Sequence, residues 1–72
     1  MRMRQIEAFH AIYVSGSISG AARVLNVSQP SLTKVLQHPE QQLGFALFRR
    51  VKGRLVATDE AHVLFREVSD VH

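Results

Sequence analysis

The 72-residue chain contains no cysteine, and this absence removes two ways of stabilising a small protein. Without thiols the chain forms neither disulfide bonds nor thiolate–metal sites, and nothing links it to an oxidising compartment. A single domain of this size keeps only a few kcal/mol of net stability. Its stability therefore has to come from side-chain packing, and pairing with a second subunit is one way to extend the core.

Long apolar runs are also missing. No stretch approaches the roughly 18 consecutive apolar residues of a membrane span. The opening letters MRMRQIEAF are too polar for the apolar region of a signal peptide. We therefore expect a soluble, cytoplasmic protein that does not bind a membrane.

The residue groups that carry out catalysis do not occur in recognisable patterns. The sequence has no cysteine nucleophile, no glycine-rich phosphate loop and no paired-carboxylate site. The four histidines do not fall at metal-ligand spacings, so we expect no metal site and no cofactor; they are His10, His38, His62 and His72. An enzyme is the least favoured class of function.

Acidic residues are scarce in most of the chain. Up to Arg54 there are eight Lys or Arg residues and two acids, whereas from Leu55 onward one Arg faces four acids. This split is typical of a protein whose basic part, here the chain up to Arg54, approaches a polyanion while its acidic C-terminal part faces away from the polyanion. A solvated surface with uneven charge is the alternative that composition leaves open.

Three helices are predicted in the first part of the chain. The first covers about residues 4–14, because four apolar side chains share one helical face: Ile6, Phe9, Ile12 and Tyr13. Ser19 is expected to cap the second helix, which contains the small pair Ala21 and Ala22. Asn26 tolerates left-handed backbone and precedes Ser28, the predicted cap of the third helix. Two helices joined by so short a turn have helix-turn-helix spacing.

The third predicted helix combines an apolar face with a polar face that has no acid. Its apolar positions lie within about one third of the helical wheel: Leu32, Val35, Leu36, Pro39 and Leu43. The opposite face offers hydrogen-bonding groups suited to base edges and phosphates: Gln29, Ser31, Thr33, Lys34, Gln37 and His38. Exposed helix faces ordinarily balance Glu against Lys, so this composition favours nucleic-acid binding over a merely solvated face.

A basic hairpin is predicted after the stop signal Gly44. Residues 45–48 supply apolar core, and two short extended arms flank a turn in which Gly53 is expected to take a positive φ. Four cations crowd this turn: Arg49, Arg50, Lys52 and Arg54. Charge runs are usually just solvated, but the tip of a hairpin beside a helix-turn-helix would meet phosphates or the minor groove.

The last helix is predicted to begin after its cap, Thr58, with Asp59 and Glu60 at the positive end of the helix dipole. An apolar stripe follows at spacings of three or four: Ala61, Leu64, Phe65, Val68 and Val71. Packing on its own domain and pairing with a second subunit both remain open, and pairing is favoured. Because the stripe reaches the last residues without a stop signal, we expect the chain to be a fragment or an early truncation.

A close resemblance to the N-terminal domain of LysR-type bacterial transcriptional regulators is carried by two segments, RQIEAFHAIYVSGSISGAARVLNVSQPSLTKVLQ and QLGFALFRRVKGRLVATDEA. The most specific pieces are Gly16-Ser17 with Ala21-Ala22, the run LNVSQP at 25–30, and the run LGFALFRR at 43–50. The resemblance implies a mainly α winged helix-turn-helix with a three-helix core over residues 1–57. Residues 58–72 would start a linker or dimerisation helix.

The same resemblance implies roles for individual residues. The third helix is expected in the major groove of double-stranded operator DNA, and the wing on the backbone or in the minor groove. The residues expected at the DNA are Ser19, Ser28, Gln29, Pro30, Ser31, Thr33, Lys34, Gln37, Arg50, Lys52 and Arg54. The terminal helix would form a homodimer through Ala61, Leu64, Phe65, Val68 and Val71. A small-molecule effector would bind only a second domain, which is absent from these residues.

Two positions depart from the family's pattern. Ala61 stands where glycine is often found, a change that should only firm the helix. Pro39 stands where a helix former such as leucine is usual. It has no amide to donate to the carbonyl of Val35, which costs about 3 kcal/mol in a regular helix, and it disfavours helical geometry at His38. We therefore predict a kink or break near residues 37–39.

A protein-interaction module that forms mixed dimers through its last helix is the rival interpretation. Such a module does not require an acid-free polar face on the third helix. That face is the feature that favours DNA binding over the rival.

Overall fold

A computed structural model describes residues 2–52 and 54–71, without the side chains of residues 69–71. In chain order the elements are α1 (Met3–Ser15), α2 (Ile18–Leu25), α3 (Gln29–Leu43), β1 (Phe48–Val51), β2 (Arg54–Ala57) and α4 (Asp59–Val71). The predicted mainly α winged helix-turn-helix is confirmed. Among the residues described, no helix combines the length and apolar character needed to cross a membrane.

The core lies where α1, α2 and α3 meet the start of the wing. Its largest fully buried apolar side chains are Phe9, Ile12, Leu32 and Leu47. Ala21 and Ala22 are buried as well, and their small side chains let a neighbouring helix approach α2 closely. Burying each large apolar side chain contributes about 1.5–3 kcal/mol, and this packing positions the polar face of α3 outward.

The cap of α2 differs from the sequence-based prediction. The hydroxyl of Ser17, not Ser19, caps the helix by accepting a hydrogen bond from the amide of Gly20 at 3.0 Å. Ser19 lies exposed in the first turn. A Cβ on Gly20 would approach Ser17 Oγ to 2.8 Å, so glycine at this position leaves room for the capping hydroxyl.

The turn between α2 and α3 follows the prediction. Asn26 adopts left-handed backbone with φ 58°, a conformation that asparagine accepts more readily than most residues. This change of backbone conformation ends α2. Ser28 Oγ accepts from the amide of Ser31 at 3.2 Å and caps α3. Pro30 falls in the first turn of α3, where a missing amide leaves no helical hydrogen bond unmade.

α3 continues through His38 and Pro39 to Leu43, so the predicted break is wrong, while a kink near residues 37–39 stays a prediction. Pro39 cannot pair with the Val35 carbonyl, yet its ring is fully buried in the core, and that burial offsets part of the lost bond. Beyond it, the Glu40 carboxylate accepts from the amide of Leu47 at 2.7 Å, which holds the end of α3 against the start of the wing. Leu43, placed on the apolar face by its spacing, is 39% exposed at the helix end.

The wing is a two-stranded antiparallel hairpin. Arg50 pairs with Leu55 and Val51 pairs with Arg54, so the turn contains only two residues. Lys52 takes the left-handed conformation with φ 52°. The positive φ predicted for Gly53 lies outside the described residues.

Thr58 joins the wing to α4. Its hydroxyl donates to the carbonyls of Ala46 at 2.8 Å and Leu47 at 3.2 Å, and accepts from the amide of Ala61 at 3.2 Å. Thr58 is therefore the cap of α4, as predicted.

The apolar stripe of α4 turns partly toward its own domain. Ala61 is fully buried in the core, so its assignment to a dimer contact is wrong because none of its surface remains for a partner. Leu64 and Phe65 are half-buried and pack against the same core. Val68 is half-buried, and the side chain of Val71 lies outside the described residues.

Candidate nucleic-acid interface

The polar face of α3 is at the surface. Five of the residues predicted to read DNA are exposed in the first part of the helix and its cap, and Thr33 is half-buried; the exposed ones are Ser28, Gln29, Pro30, Ser31 and Lys34. Gln37 is exposed one turn further on. A shallow depression along this face is lined by Gln29, Pro30, Ser31, Thr33, Lys34 and Gln37. The described part of α3 carries no acid before Glu40, so the whole depression lacks negative charge.

Three of these hydroxyls, those of Ser28, Ser31 and Thr33, already have partners inside the protein. Ser28 Oγ accepts from the amide of Ser31 and donates to the Ser31 hydroxyl at 2.8 Å. Thr33 Oγ1 donates to the carbonyl of Gln29 at 3.0 Å. The Ser28 side chain thus acts as a helix cap, whereas Gln29 and Lys34 extend from the helix with polar groups suited to bases and phosphates.

A groove about 620 Å³ in volume separates α2 from the wing. This α2–wing groove is lined by three elements: the turn after α1 with the start of α2 (Gly16, Ser17, Ile18 and Ser19), the wing (Arg50, Arg54 and Leu55) and the start of α3 (Gln29). The structure thereby brings together Ser19, Gln29, Arg50 and Arg54, four residues predicted separately from the sequence. Lys52 lies exposed in the hairpin turn beyond them.

The electrostatics of the groove favour an anion. The amides of Ile18 and Ser19 belong to the first turn of α2, where a helix has no internal carbonyls for them. The start of a helix also carries the positive end of its dipole. Because Arg50 and Arg54 line the same groove as this helix start, a phosphate group placed there would meet positive potential from both the wing and α2.

Several lining residues were not predicted as site residues. Gly16, Ser17 and Ile18 lie at the groove because the tight turn after α1 places the start of α2 there. Gly16 ends α1 with φ 74° and its amide donates to the carbonyl of Ile12 at 2.9 Å. The Gly16-Ser17 pair was the sequence signal that could have identified them.

The outer side of α4 presents apolar surface. Val63 is 52% exposed and was absent from the predicted stripe, because it lies one position ahead of Leu64. Leu64, Phe65 and Val68 share one side of the helix and form the surface called here the α4 face; at about 100° per residue, Val63 lies roughly 140–160° away from Phe65 and Val68. Among the residues that the structure describes, no cluster of histidine and acidic side chains is arranged to hold a metal ion.

Comparison with known proteins identifies relatives over nearly the whole chain. Residues 3–62 match the family model described as bacterial regulatory helix-turn-helix protein, lysR family. The chain is 62% identical over all 72 residues to the HTH-type transcriptional regulator DgcR of a Pseudoalteromonas species and covers 25% of it. It is 42% identical over 72 residues to the HTH-type transcriptional regulator AdmX of Serratia plymuthica and covers 24% of that protein. The chain thus spans about a quarter of the length of these relatives.

Solved structures include DNA complexes with the same fold. The BenM DBD bound to catB site 1 DNA superimposes with a TM-score of 0.91 and 28% identity, covering 99% of this chain and 80% of that one. The CbnR DBD–DNA complex superimposes with a TM-score of 0.90 and 31% identity, covering 99% of this chain and 82% of that one.

Proposed function

This chain belongs to the lysR family of bacterial regulatory helix-turn-helix proteins and is a DNA-binding domain of that family, and from this premise we propose that it recognises specific double-stranded sequences. In the proposed complex α3 lies in the major groove. The wing contacts the backbone or the minor groove, and the α2–wing groove holds a phosphate.

The observation that carries this proposal is the position of Gln29. It lines both the depression along α3 and the α2–wing groove, so surfaces suited to bases and to phosphates are continuous. Glutamine forms paired hydrogen bonds with adenine in the major groove, and such a pair is worth about 1–3 kcal/mol of discrimination. Lys34, exposed five residues further along α3, is suited to a guanine edge or a phosphate.

The cations of the wing support a different role in the same complex. Arg50 and Arg54 line the groove together with the start of α2, and phosphate contacts fix orientation without reading sequence. We therefore assign discrimination to the α3 face and general affinity to the wing and the start of α2.

We propose that two copies act as a homodimer through the α4 face. Leu64, Phe65 and Val68 are half-buried and retain part of their surface. An exposed apolar strip on a helix is commonly covered by another subunit. Because the chain spans a quarter of DgcR, we further propose that any small-molecule effector acts on a second domain outside these residues, and we assign no catalytic role.

Selection of duplexes from a random library tests the proposal. Repeated binding and recovery should enrich one short motif, and a dimer should enrich two copies of it at a fixed distance. The most enriched sequence, called here the selected duplex, should bind at least ~1000-fold more tightly than random DNA of equal length at physiological salt. Failure to enrich any motif, with equal affinity for all duplexes, would contradict sequence-specific recognition.

A further inference from the structure

Helix α4 is attached to the rest of the domain near its beginning. The Thr58 hydroxyl holds the carbonyls of Ala46 and Leu47, and Ala61 is fully buried one turn later. These contacts fix the point at which α4 leaves the body. A single point of attachment leaves the direction of a helix free to vary, so a second point is needed to set it.

A cluster of aromatic and imidazole rings supplies the second attachment. The Tyr13 hydroxyl on α1 lies 2.7 Å from Nδ1 of His62 on α4. The ring of Tyr13 stacks on Phe65 with centroids 3.8 Å apart and planes 11° from parallel. His10, one turn earlier on α1, also stacks with Phe65 at 5.3 Å. Two positions of α4 are therefore tied to two positions of α1.

The hydrogen bond in this cluster does not depend on one arrangement of protons. When Nδ1 is bare, the Tyr13 phenol donates to it; when Nδ1 carries hydrogen, the phenol oxygen accepts. Nδ1 of His62 is therefore a hydrogen-bond partner for the Tyr13 hydroxyl in either tautomer. Leucine at the same position would offer none.

The length of α4 magnifies small changes in its direction. Its 13 residues correspond to roughly 20 Å at about 1.5 Å per residue. A swing of about 10° would move the far end by roughly 3.5 Å, which is close to the rise of one base pair in a duplex with about 10 pairs per 34 Å turn. Two bodies joined through their α4 helices would then shift relative to each other by about one base pair.

We propose that the Tyr13–His62–Phe65 cluster fixes the direction of α4 relative to the DNA-reading surface and so determines which half-site spacing the protein accepts. Tyr13 and His62 are positioning residues in this account, because neither lies on the α3 face or in the α2–wing groove. The inference rests on the proposed function, in which two copies pair through α4.

A spacing series tests the inference with the full-length protein that contains this chain. The probes are the selected duplex, versions with one or two base pairs added or removed between its half-sites, and a duplex with one half-site. For the unchanged protein we expect one preferred spacing, with affinity falling about tenfold for a one-base-pair change. Tyr13→Phe and His62→Leu should reduce that loss to about threefold or less, while binding to the single half-site stays within twofold.

Matched variants separate this role from a general effect on folding. His62→Asn keeps a hydrogen-bonding group near the position of Nδ1 and should retain the original spacing profile. Ser15→Ala removes an exposed hydroxyl from the same α1 helix and should also retain it. The inference is overturned if Tyr13→Phe and His62→Leu keep the unchanged protein's profile, or if they weaken every spacing and the half-site equally.

The unchanged protein distinguishes failure of the inference from failure of the proposed function. If it enriches no motif, sequence recognition itself is wrong; if it enriches a motif but has no preferred spacing, pairing through a fixed α4 is wrong. Either result also overturns the inference.

A distance measurement provides a readout without DNA. Arg23→Cys and Glu67→Cys, both at exposed positions, allow spin labels on α2 and α4. These 72 residues contain no other cysteine, and any cysteine elsewhere in the full-length protein is replaced by serine. The distance distribution between the labels should broaden in Tyr13→Phe and His62→Leu. An unchanged distribution in both variants would overturn the inference.

Discussion

The side-chain hydroxyl of Thr33 donates a hydrogen bond to the backbone carbonyl of Gln29, one turn earlier in α3, at 3.0 Å. That bond occupies the only hydrogen the side chain has to donate. The methyl group is then the part of Thr33 that is available for contact with a base. In the major groove, such a methyl group packs against the methyl group of thymine.

Substitutions at Thr33 should separate its two groups. Thr33→Val keeps the methyl and should bind the selected duplex within about twofold of the unchanged protein, whereas Thr33→Ser loses it and should bind several-fold more weakly. Replacing thymines by uracil one at a time removes each base methyl. One such replacement should weaken the unchanged protein and Thr33→Val but not Thr33→Ser, as measured by titration. Equal losses for Val and Ser would contradict the methyl contact.

Thr58 should be important for stability. Thr58→Val removes the α4 cap and the bond to the Ala46 carbonyl, and we expect a loss of about 2–3 kcal/mol in the free energy of unfolding. Thr58→Ser keeps the hydroxyl, so we expect a clearly smaller decrease in the free energy of unfolding. Urea unfolding measures both, and similar losses for Val and Ser would show that the hydroxyl is not responsible.

Pro39→Ala should raise the melting temperature. Alanine restores the amide that donates to the Val35 carbonyl, a gain of about 3 kcal/mol, and loses the burial of about two methylene groups at roughly 0.8 kcal/mol each. The net gain of about 1 kcal/mol corresponds to an increase of roughly 4–8 °C.

Pro30→Ala is the matched control for this change. Pro30 lies in the first turn of α3 and is exposed, so no helical hydrogen bond is restored and the melting temperature should stay nearly constant. An unchanged or lower value for Pro39→Ala, measured by thermal unfolding, would contradict the expected gain.

Local sequence rules predicted the parts of the fold that are decided locally. Asn26, Ser28 and Thr58 each end or cap a helix as expected, because these side chains act on backbone within a few residues. The acid-free face of α3 could be predicted for a similar reason, since helical periodicity alone places its residues on one side of the helix.

The errors arose where longer-range packing decides between local alternatives. Ser17 and Ser19 both fit a cap, and only the actual helix start, with Ala21 and Ala22 in the core, selects Ser17. α3 also continues through Pro39, whose ring is buried in the core. The apolar stripe of α4 does not indicate by its sequence which surface covers it. In the structure, side chains of α1 cover part of the stripe. The groove residues come together only through the folded turn after α1, a relationship that no local pattern contains.

Salt dependence should identify the phosphate contacts. The logarithm of affinity falls with the logarithm of salt concentration with a slope of about −0.9 per phosphate neutralised. Arg50→Ala and Arg54→Ala should each make this slope shallower by about 0.9, because both side chains line the α2–wing groove. Thr33→Val should leave the slope unchanged, and a slope unaffected by either arginine would remove the wing from the phosphate-binding surface.

The division of roles between α3 and the wing is tested most directly by titrating Lys34→Ala and Arg50→Ala against the selected duplex and random DNA. Lys34→Ala should lose affinity mainly for the selected duplex, so that the ratio between the two duplexes falls by about tenfold, corresponding to about 1–3 kcal/mol for one base contact. Arg50→Ala should weaken both duplexes by the same factor and leave the ratio unchanged. Identical losses on both duplexes for both variants would contradict sequence reading by the exposed face of α3.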